Sequence, residues 1–402
     1  LNALPGRKAD ALDAFVAIAD RFPSTPAAGP ATSMASLLLL QAGKPVDALA
    51  RADAFLDRHA KTASPAAVQD VCAIRAEALL AIGRHTDAAK TYRELVASSP
   101  RSENVPAWKL REATALAAGG SWQQAHELLA VITPTLPGDT KAEGMLLDAT
   151  ALVELKDPKA ASAILASLDK SYPRFARRDE AMLLAVRALK EAGDSKGALA
   201  TAERLVKEFP NPSAADLAWY RLGQLRQEAG QHDKAIDALQ LSVKANPDGN
   251  RAPWSLLAIG WCHEAKGRLA DAIAAWSRLI EKHPDTTAAA SAVIARADAR
   301  QRTGDFAGGL ADTEQVLADR STLATKLDPE AIAEARFIQG LCLAGQEKHA
   351  QAAATFQRLL DSQPAYAAAD RALFEMGLAL SAAGKPDEAG RTFAHLVKRY
   401  PK

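Results

Sequence analysis

The stretch NPSAADLAWYRLGQLRQEAGQHDKAIDALQLSVKANP, residues 211–247, decides the fold. Residues 212–228 set Leu217, Tyr220, Leu222 and Leu225 at helical spacing. Ala229-Gly230 ends that helix, because glycine takes the left-handed conformation after a helix C-terminus at no steric cost. From about Asp233 to Ala245 a second helix places Ala235, Ile236, Leu239 and Val243 on one face. Asn246-Pro247 stops it, since proline cannot continue the hydrogen-bond ladder. One unit is two helices joined by a tight turn.

Working outward, the turn glycine recurs about every 37 residues, at Gly6, Gly43, Gly83, Gly120, Gly193, Gly230, Gly267, Gly304 and Gly384. Lys156 and Glu347 fill the same slot in the two remaining units, and the four intervals from Lys156 to Gly304 are all 37 residues. Five residues after the slot stands a small residue in every unit: Ala11, Ala48, Ala88, Ala125, Ala161, Ala198, Ala235, Ala272, Gly309, Ala352 and Ala389. Seven before it the residue is again small, as at Ser36, Ala76, Gly223, Gly260, Gly340 and Gly377, with Val186 the larger exception. Nine after it the residue is mostly large, as at Tyr92, Leu239, Trp276, Phe356 and Phe393. The small positions are read as the places where the two helices of a hairpin cross. A period of this length marks a helical repeat array, each unit leaning on its neighbours.

This register resembles the tetratricopeptide repeat (TPR) family over essentially the whole chain. The resemblance rests on the small residue before the turn, the small residue after it, the large residue four further on and the closing proline. It implies an all-α, right-handed superhelical solenoid of about eleven hairpins, a single array over residues 1–402 with turns near 6, 43, 83, 120, 156, 193, 230, 267, 304, 347 and 384. The 37-residue spacing, longer than the commoner 34, and the endings Phe209-Pro210, Tyr172-Pro173 and Tyr400-Pro401 resemble the variant found in bacterial envelope proteins. That likeness implies a periplasmic or outer-membrane-peripheral setting, with the cytoplasm left open. Two intervals are stretched, near residues 61–65 and 321–329, and both insertions fall between hairpins.

Composition narrows the partner. Basic and acidic residues balance at 49 to 48, so no nucleic-acid or anionic-membrane footprint is expected. The most apolar run, Met34 to Leu40, is too short to span a bilayer. Cys262 and Cys342 stand five residues before the slot, where other units carry alanine, so they read as small core residues. With Cys72 they form no CxxC pair and leave the redox compartment undetermined. The chain opens at Leu1 and closes at Pro401-Lys402 on a repeat end, which reads as a segment of a longer protein, with any membrane anchor lying outside it.

In the family, the first helices line a concave groove, and positions six and three before the slot point into it. Six before, the central units carry Arg187, Gln224, Trp261 and Asp298, while Leu37, Leu341 and Leu378 stand nearer the ends. Three before come Lys190, Gln227, Glu264 and Gln301. The expected groove is polar at its centre, with Leu37, Leu341 and Leu378 as edge contacts covered by another segment or subunit. Trp254 and Trp261 are seven residues apart on one helix face and read either as binding anchors or as inter-repeat core. Trp219, Tyr220 and Trp276 read as core. The lysine–asparagine clamp that some family members use for acidic C-termini is missing, because the matching positions are Ala73, Leu110, Leu146, Leu183, Tyr220, Leu257, Ile294 and Phe337. The basic cluster Lys170, Arg174, Arg177 and Arg178 reads as a solvated surface, with Asp169, Asp179 and Glu180 beside it.

The eight histidines form no HExxH, and no phosphate-cradling or dinucleotide glycine motif occurs. Ser167 to Lys170 matches SxxK without the companion motifs that give it meaning. The expectation is a non-enzymatic scaffold without cofactor or metal. It binds a partner protein or extended peptide through Arg187, Lys190, Gln224, Gln227, Trp254, Trp261, Glu264 and Asp298. A permanent subunit of a large assembly and a glycan-binding module are the alternatives.

Overall fold

A computed structural model describes residues 8–211, 214–318 and 321–401. Among these residues there are twenty-one α-helices, two short 3-10 turns and no strand. The expected turn at Gly6 and the expected helix start at Pro212-Ser213 lie outside the described residues. A first helix, Lys8–Arg21, precedes ten helical hairpins. Contacts divide the chain into two compact units, residues 1–201 and 202–402, the division falling inside the helix Ser195–Glu208.

Every hairpin turn is built the same way. After Ala28–Gln41, the Gly43 N–H donates to the Leu40 carbonyl and the Lys44 N–H to that of Leu39, which satisfies two carbonyls that the helix end leaves open. The same two bonds recur at all ten turns, and the slot residue has positive φ each time. Lys156 (φ 64°) and Glu347 (φ 62°) are the two non-glycine residues with positive φ among those described. They are the same two residues that the sequence register placed in the slot.

The register also explains the packing. The small residues after the turn, from Ala11 to Ala389, are buried, which lets the helices of a hairpin approach closely. The glycine seven before the slot receives the large side chain nine after it. A Cβ on Gly223 would lie 2.6 Å from Leu239, one on Gly340 2.4 Å from Phe356, and one on Gly377 2.4 Å from Phe393. Fully burying each such side chain contributes about 1.5–3 kcal/mol. Cys262 and Cys342 are fully buried and unbridged, as their alanine-like positions require; Cys72 is half-buried.

Both stretched intervals acquire structure. The first helices Pro65–Ala81 and Pro329–Gly345 run 17 residues where most first helices run 14. Ser64 and Asp328 cap them, accepting from the Ala67 and Ala331 N–H groups. The second helix before the longer insertion, Phe306–Leu317, has only 12 residues. A 3-10 turn, Ala324–Lys326, follows, and Leu323 drops into the core formed by Val293, Val316 and Ile338. The insertion closes a gap that the short helix leaves.

Within each unit, successive first helices touch one another, as Ala28–Gln41 touches Pro65–Ala81 and Ala252–Ala265 touches Thr287–Arg302. Successive second helices approach less closely. Each unit therefore has an inner side made of first helices and an outer side made of second helices.

Candidate partner-binding face

In the unit 202–402 the inner side is carried by the first helices Ala215–Glu228, Ala252–Ala265, Thr287–Arg302, Pro329–Gly345 and Ala369–Ala382. The helix Ala252–Ala265 buries Leu256, Leu257, Ile259, Gly260 and Cys262 against its neighbours. One stripe is left, and on it stand Trp254 and Trp261, two helical turns or about 10 Å apart. They are 42% and 40% exposed. Neither is enclosed in the inter-repeat core as Trp276 is. Trp276 is fully buried, its Nε1 donating to the Leu257 carbonyl at 3.2 Å, while Trp219 and Tyr220 are half-buried.

The polar positions beside the tryptophans are tied to one another. Gln224 donates through Nε2 to the Tyr220 hydroxyl at 2.9 Å and accepts from Arg221 at 3.0 Å. Glu264 accepts from Arg302 at 2.5 Å, and the same guanidinium reaches Asp298 at 3.3 Å. Those two bonds, with Asp298 contributing most, push the Arg302 pKa further up and hold it charged. Gln227 is half-buried on the same helix as Gln224. Gln224 and Gln227, then Trp254, Trp261 and Glu264, then Asp298 thus stand on three successive first helices of one unit, and Glu264 and Asp298 share Arg302 as partner.

Arg187 and Lys190 belong to the other unit, 1–201, on the first helix Arg178–Glu191. There Arg187 is held by Glu154 of the preceding first helix at 2.9 Å and by Glu191 at 2.8 Å. Earlier in the array Glu77 is bound in a similar way, accepting from Arg111 of the next first helix and from the Tyr92 hydroxyl. The basic cluster is likewise paired: Arg177 with Glu143 and Glu180, Arg178 with Asp169.

The edge leucines differ among themselves. Leu37 and Leu341 are half-buried, whereas Leu378 is 46% exposed beside an equally exposed Phe374. Phe374, Arg221 and Arg302 were not among the residues singled out from the sequence. For Arg302 a signal existed: a carboxylate, Glu264, lies about one repeat upstream at an adjacent register position. No group of three or more histidine, cysteine or acidic residues is arranged to hold a metal ion among the described residues, and none of their helices is long and apolar enough to cross a membrane.

The geometry defines a class, a helical-repeat protein of stacked antiparallel hairpins whose first helices present a shared face. Tetratricopeptide repeat models match residues 33–103, 183–250 and 294–367, more than half of the chain, and a second model of that family matches residues 254–286 and 371–402. The chain belongs to the tetratricopeptide repeat family.

Among solved structures, the C-terminal part of a TPR repeat-containing protein from Cytophaga hutchinsonii matches with a TM-score of 0.53 at 14% identity, over 66% of this chain and 99% of that one. A tetratricopeptide repeat protein from Parabacteroides merdae matches with a TM-score of 0.44 at 16% identity, over 67% and 98%. The MamA protein matches with a TM-score of 0.40 at 18% identity, over 46% and 94%. No curated protein sequence matches significantly.

Proposed function

We propose that this chain is a non-catalytic scaffold that binds an extended segment of a partner protein on the inner side of its 202–402 unit, with Trp254 and Trp261 as anchors. The observation that carries this reading is the exposure of those two indoles on one stripe of one helix. Each of these indoles leaves about two-fifths of its surface in water and forgoes that part of the burial energy that fixes Trp108 and Trp276 in the core. Interface energy concentrates in such aromatic anchors, ringed by polar groups that exclude water. The surrounding groups Gln224, Glu264, Asp298 and Arg302 are already paired, so they supply position and specificity, while affinity comes from the indoles.

A setting in a bacterial envelope assembly belongs to the same proposal and is supported by the 37-residue spacing and the aromatic–proline repeat ends. The second reading, a permanent subunit of a larger complex, draws on one observation: Phe374 and Leu378 form an exposed apolar pair on the helix Ala369–Ala382.

The test is co-purification from native cells of the tagged wild-type chain beside a Trp254→Ala/Trp261→Ala variant. The scaffold reading expects the partner to be lost by tenfold or more with the helical circular dichroism unchanged. Retention of the same partner at wild-type level overturns it. Loss of the partner from a Leu378→Asp variant alone supports the subunit reading.

A further inference from the structure

On the outer side of the 202–402 unit, a cleft of about 630 Å³ opens between the second helices His349–Ser362 and Pro386–Arg399. Its walls differ in kind. One is made of small and neutral groups, Ala350, Ala354 and Gln357. The other is a ridge of exposed basic groups, Arg391, His395 and Arg399, four residues apart and therefore stacked on one face of their helix at about 6 Å intervals. Leu373 and Met376 of the intervening first helix, 3% and 7% exposed, close its floor, with the half-buried Leu360 beside them.

Neither of the cleft's carboxylates is bonded to the ridge: Glu388 is paired with Lys385 at 3.0 Å, and Asp361 accepts at 2.8 Å from the neutral Gln357, which does not offset its charge. The cations Lys385, Arg391 and Arg399 still outnumber the two carboxylates in the lining. Arg399 donates to the Pro364 carbonyl at 3.0 Å and lies over the Tyr400 ring, neither of which carries charge. Arg391 and His395 have no hydrogen-bond or ion-pair partner among the described residues.

We infer that this cleft is a seat for an acidic amphipathic helix of a partner protein, separate from the tryptophan-bearing inner face. The alanine wall lets a helix backbone approach closely, as ridges-into-grooves packing needs. The ridge fixes which side of that helix faces it: carboxylates at four-residue intervals match the ridge in spacing, meeting opposite charge at Arg391 and Arg399 and a hydrogen-bonding imidazole at His395. Apolar residues of the same helix meet Leu360 and the narrow exposed edges of Leu373 and Met376. A basic ridge beside an apolar floor distinguishes this ligand from a purely polyanionic one, which has nothing to offer the floor.

The probe is a fluorescein-labelled 18-residue synthetic peptide with glutamates at i, i+4 and i+8 and leucines on the adjoining face, titrated against the full chain by anisotropy. Saturable binding is expected. It should fall tenfold or more in an Arg391→Glu/Arg399→Glu variant and in an Ala354→Trp variant that fills the cleft from an exposed position. A Trp254→Ala/Trp261→Ala variant should bind the peptide as the wild type does, so the two sites stand or fall independently. Equal binding of a scrambled peptide of the same composition overturns the inference, as does unchanged affinity in the charge-reversed variant. Binding of phosphatidylserine vesicles through Arg391 and Arg399 in place of the peptide overturns it too.

Discussion

The indole of Trp276 lies across Gly260, with Nε1 only 2.1 Å from where a Cβ on residue 260 would stand. Glycine at 260 and tryptophan at 276 therefore form one packing unit, and the rigid indole, held by its hydrogen bond to Leu257, has no easy retreat. Placing alanine at 260 gains about 1 kcal/mol of helix propensity but overpacks the core by about 1–3 kcal/mol. Gly260→Ala should destabilise the fold, by up to about 2 kcal/mol net. A Gly260→Ala/Trp276→Leu variant, which copies the Ala113 and Leu129 residues of an earlier hairpin, should be more stable than the sum of the single changes. Urea unfolding of the four proteins reads this; strict additivity contradicts it.

Lys156 and Glu347 hold a conformation that costs an L-residue about 1–2 kcal/mol. Some of that is offset because glycine surrenders more chain entropy, about 0.5–1 kcal/mol. Lys156→Gly and Glu347→Gly should each raise stability by about 0.5–1 kcal/mol, and Gly267→Ala should lower it. Hydrogen exchange at the turn amides and urea midpoints report the change. A loss of stability in both glycine variants would contradict the turn assignment.

Burial pushes the Cys262 thiol up to about 11 and the Cys342 thiol up to about 12, from an ordinary 9.0, with Asp298, Asp305 and Asp312 adding to the second shift. The sign follows directly. Below 9 both thiols are protonated in the folded and unfolded chain, so nothing is lost. Above 9 the unfolded chain releases these protons and the folded one resists, so stability falls as pH rises towards 11–12. A Cys262→Ala/Cys342→Ala variant should lose less stability between pH 8 and about 10.5 than the wild type. At pH 8 neither buried thiol should react with Ellman's reagent until the chain unfolds, and rapid reaction of both in the folded chain would contradict the burial.

Asp312 is buried between two arginines, bidentate to Arg296 at 2.6 and 3.0 Å and bonded to Arg300 at 2.8 Å. Removing it leaves Arg296 with only the Ser277 hydroxyl in a mostly desolvated site, where breaking such a pair costs about 3–5 kcal/mol, while Arg300 keeps Asp305 at 3.5 Å. Asp312→Ala should show that loss by urea unfolding. Arg187→Ala, which removes a half-exposed partner of Glu154 and Glu191, should cost less than about 1 kcal/mol. Similar costs for the two would contradict the contrast in burial.

What the sequence displayed and what it hid have one physical origin. Turn slots, crossing residues and knob residues repeat because each hairpin solves the same packing problem, so Lys156 and Glu347 were identifiable even without glycine. The face on which a ligand sits is not repeated, because partners are not periodic. Trp261 stood at a groove position, yet spacing alone left core and surface both open, since an apolar stripe looks the same whether a neighbour covers it or not. Arg302 was missed because its partner Glu264 is one repeat away and in a slightly different register. The register shows the 321–329 insertion only as extra residues between hairpins, whereas Leu323 serves the core, a role set by the shortened helix Phe306–Leu317.

Trp261 as the meeting point with a partner protein is open to a direct test. The direct measurement places a photo-crosslinking amino acid at position 261 in the native cells and, as an outer-side control, at Leu241, which is exposed on the second helix His232–Ala245. One dominant protein adduct is expected from position 261, weakened when Trp254 is changed to alanine, with little or none from 241. Equal adducts from both positions, or adducts at 241 alone, would contradict it.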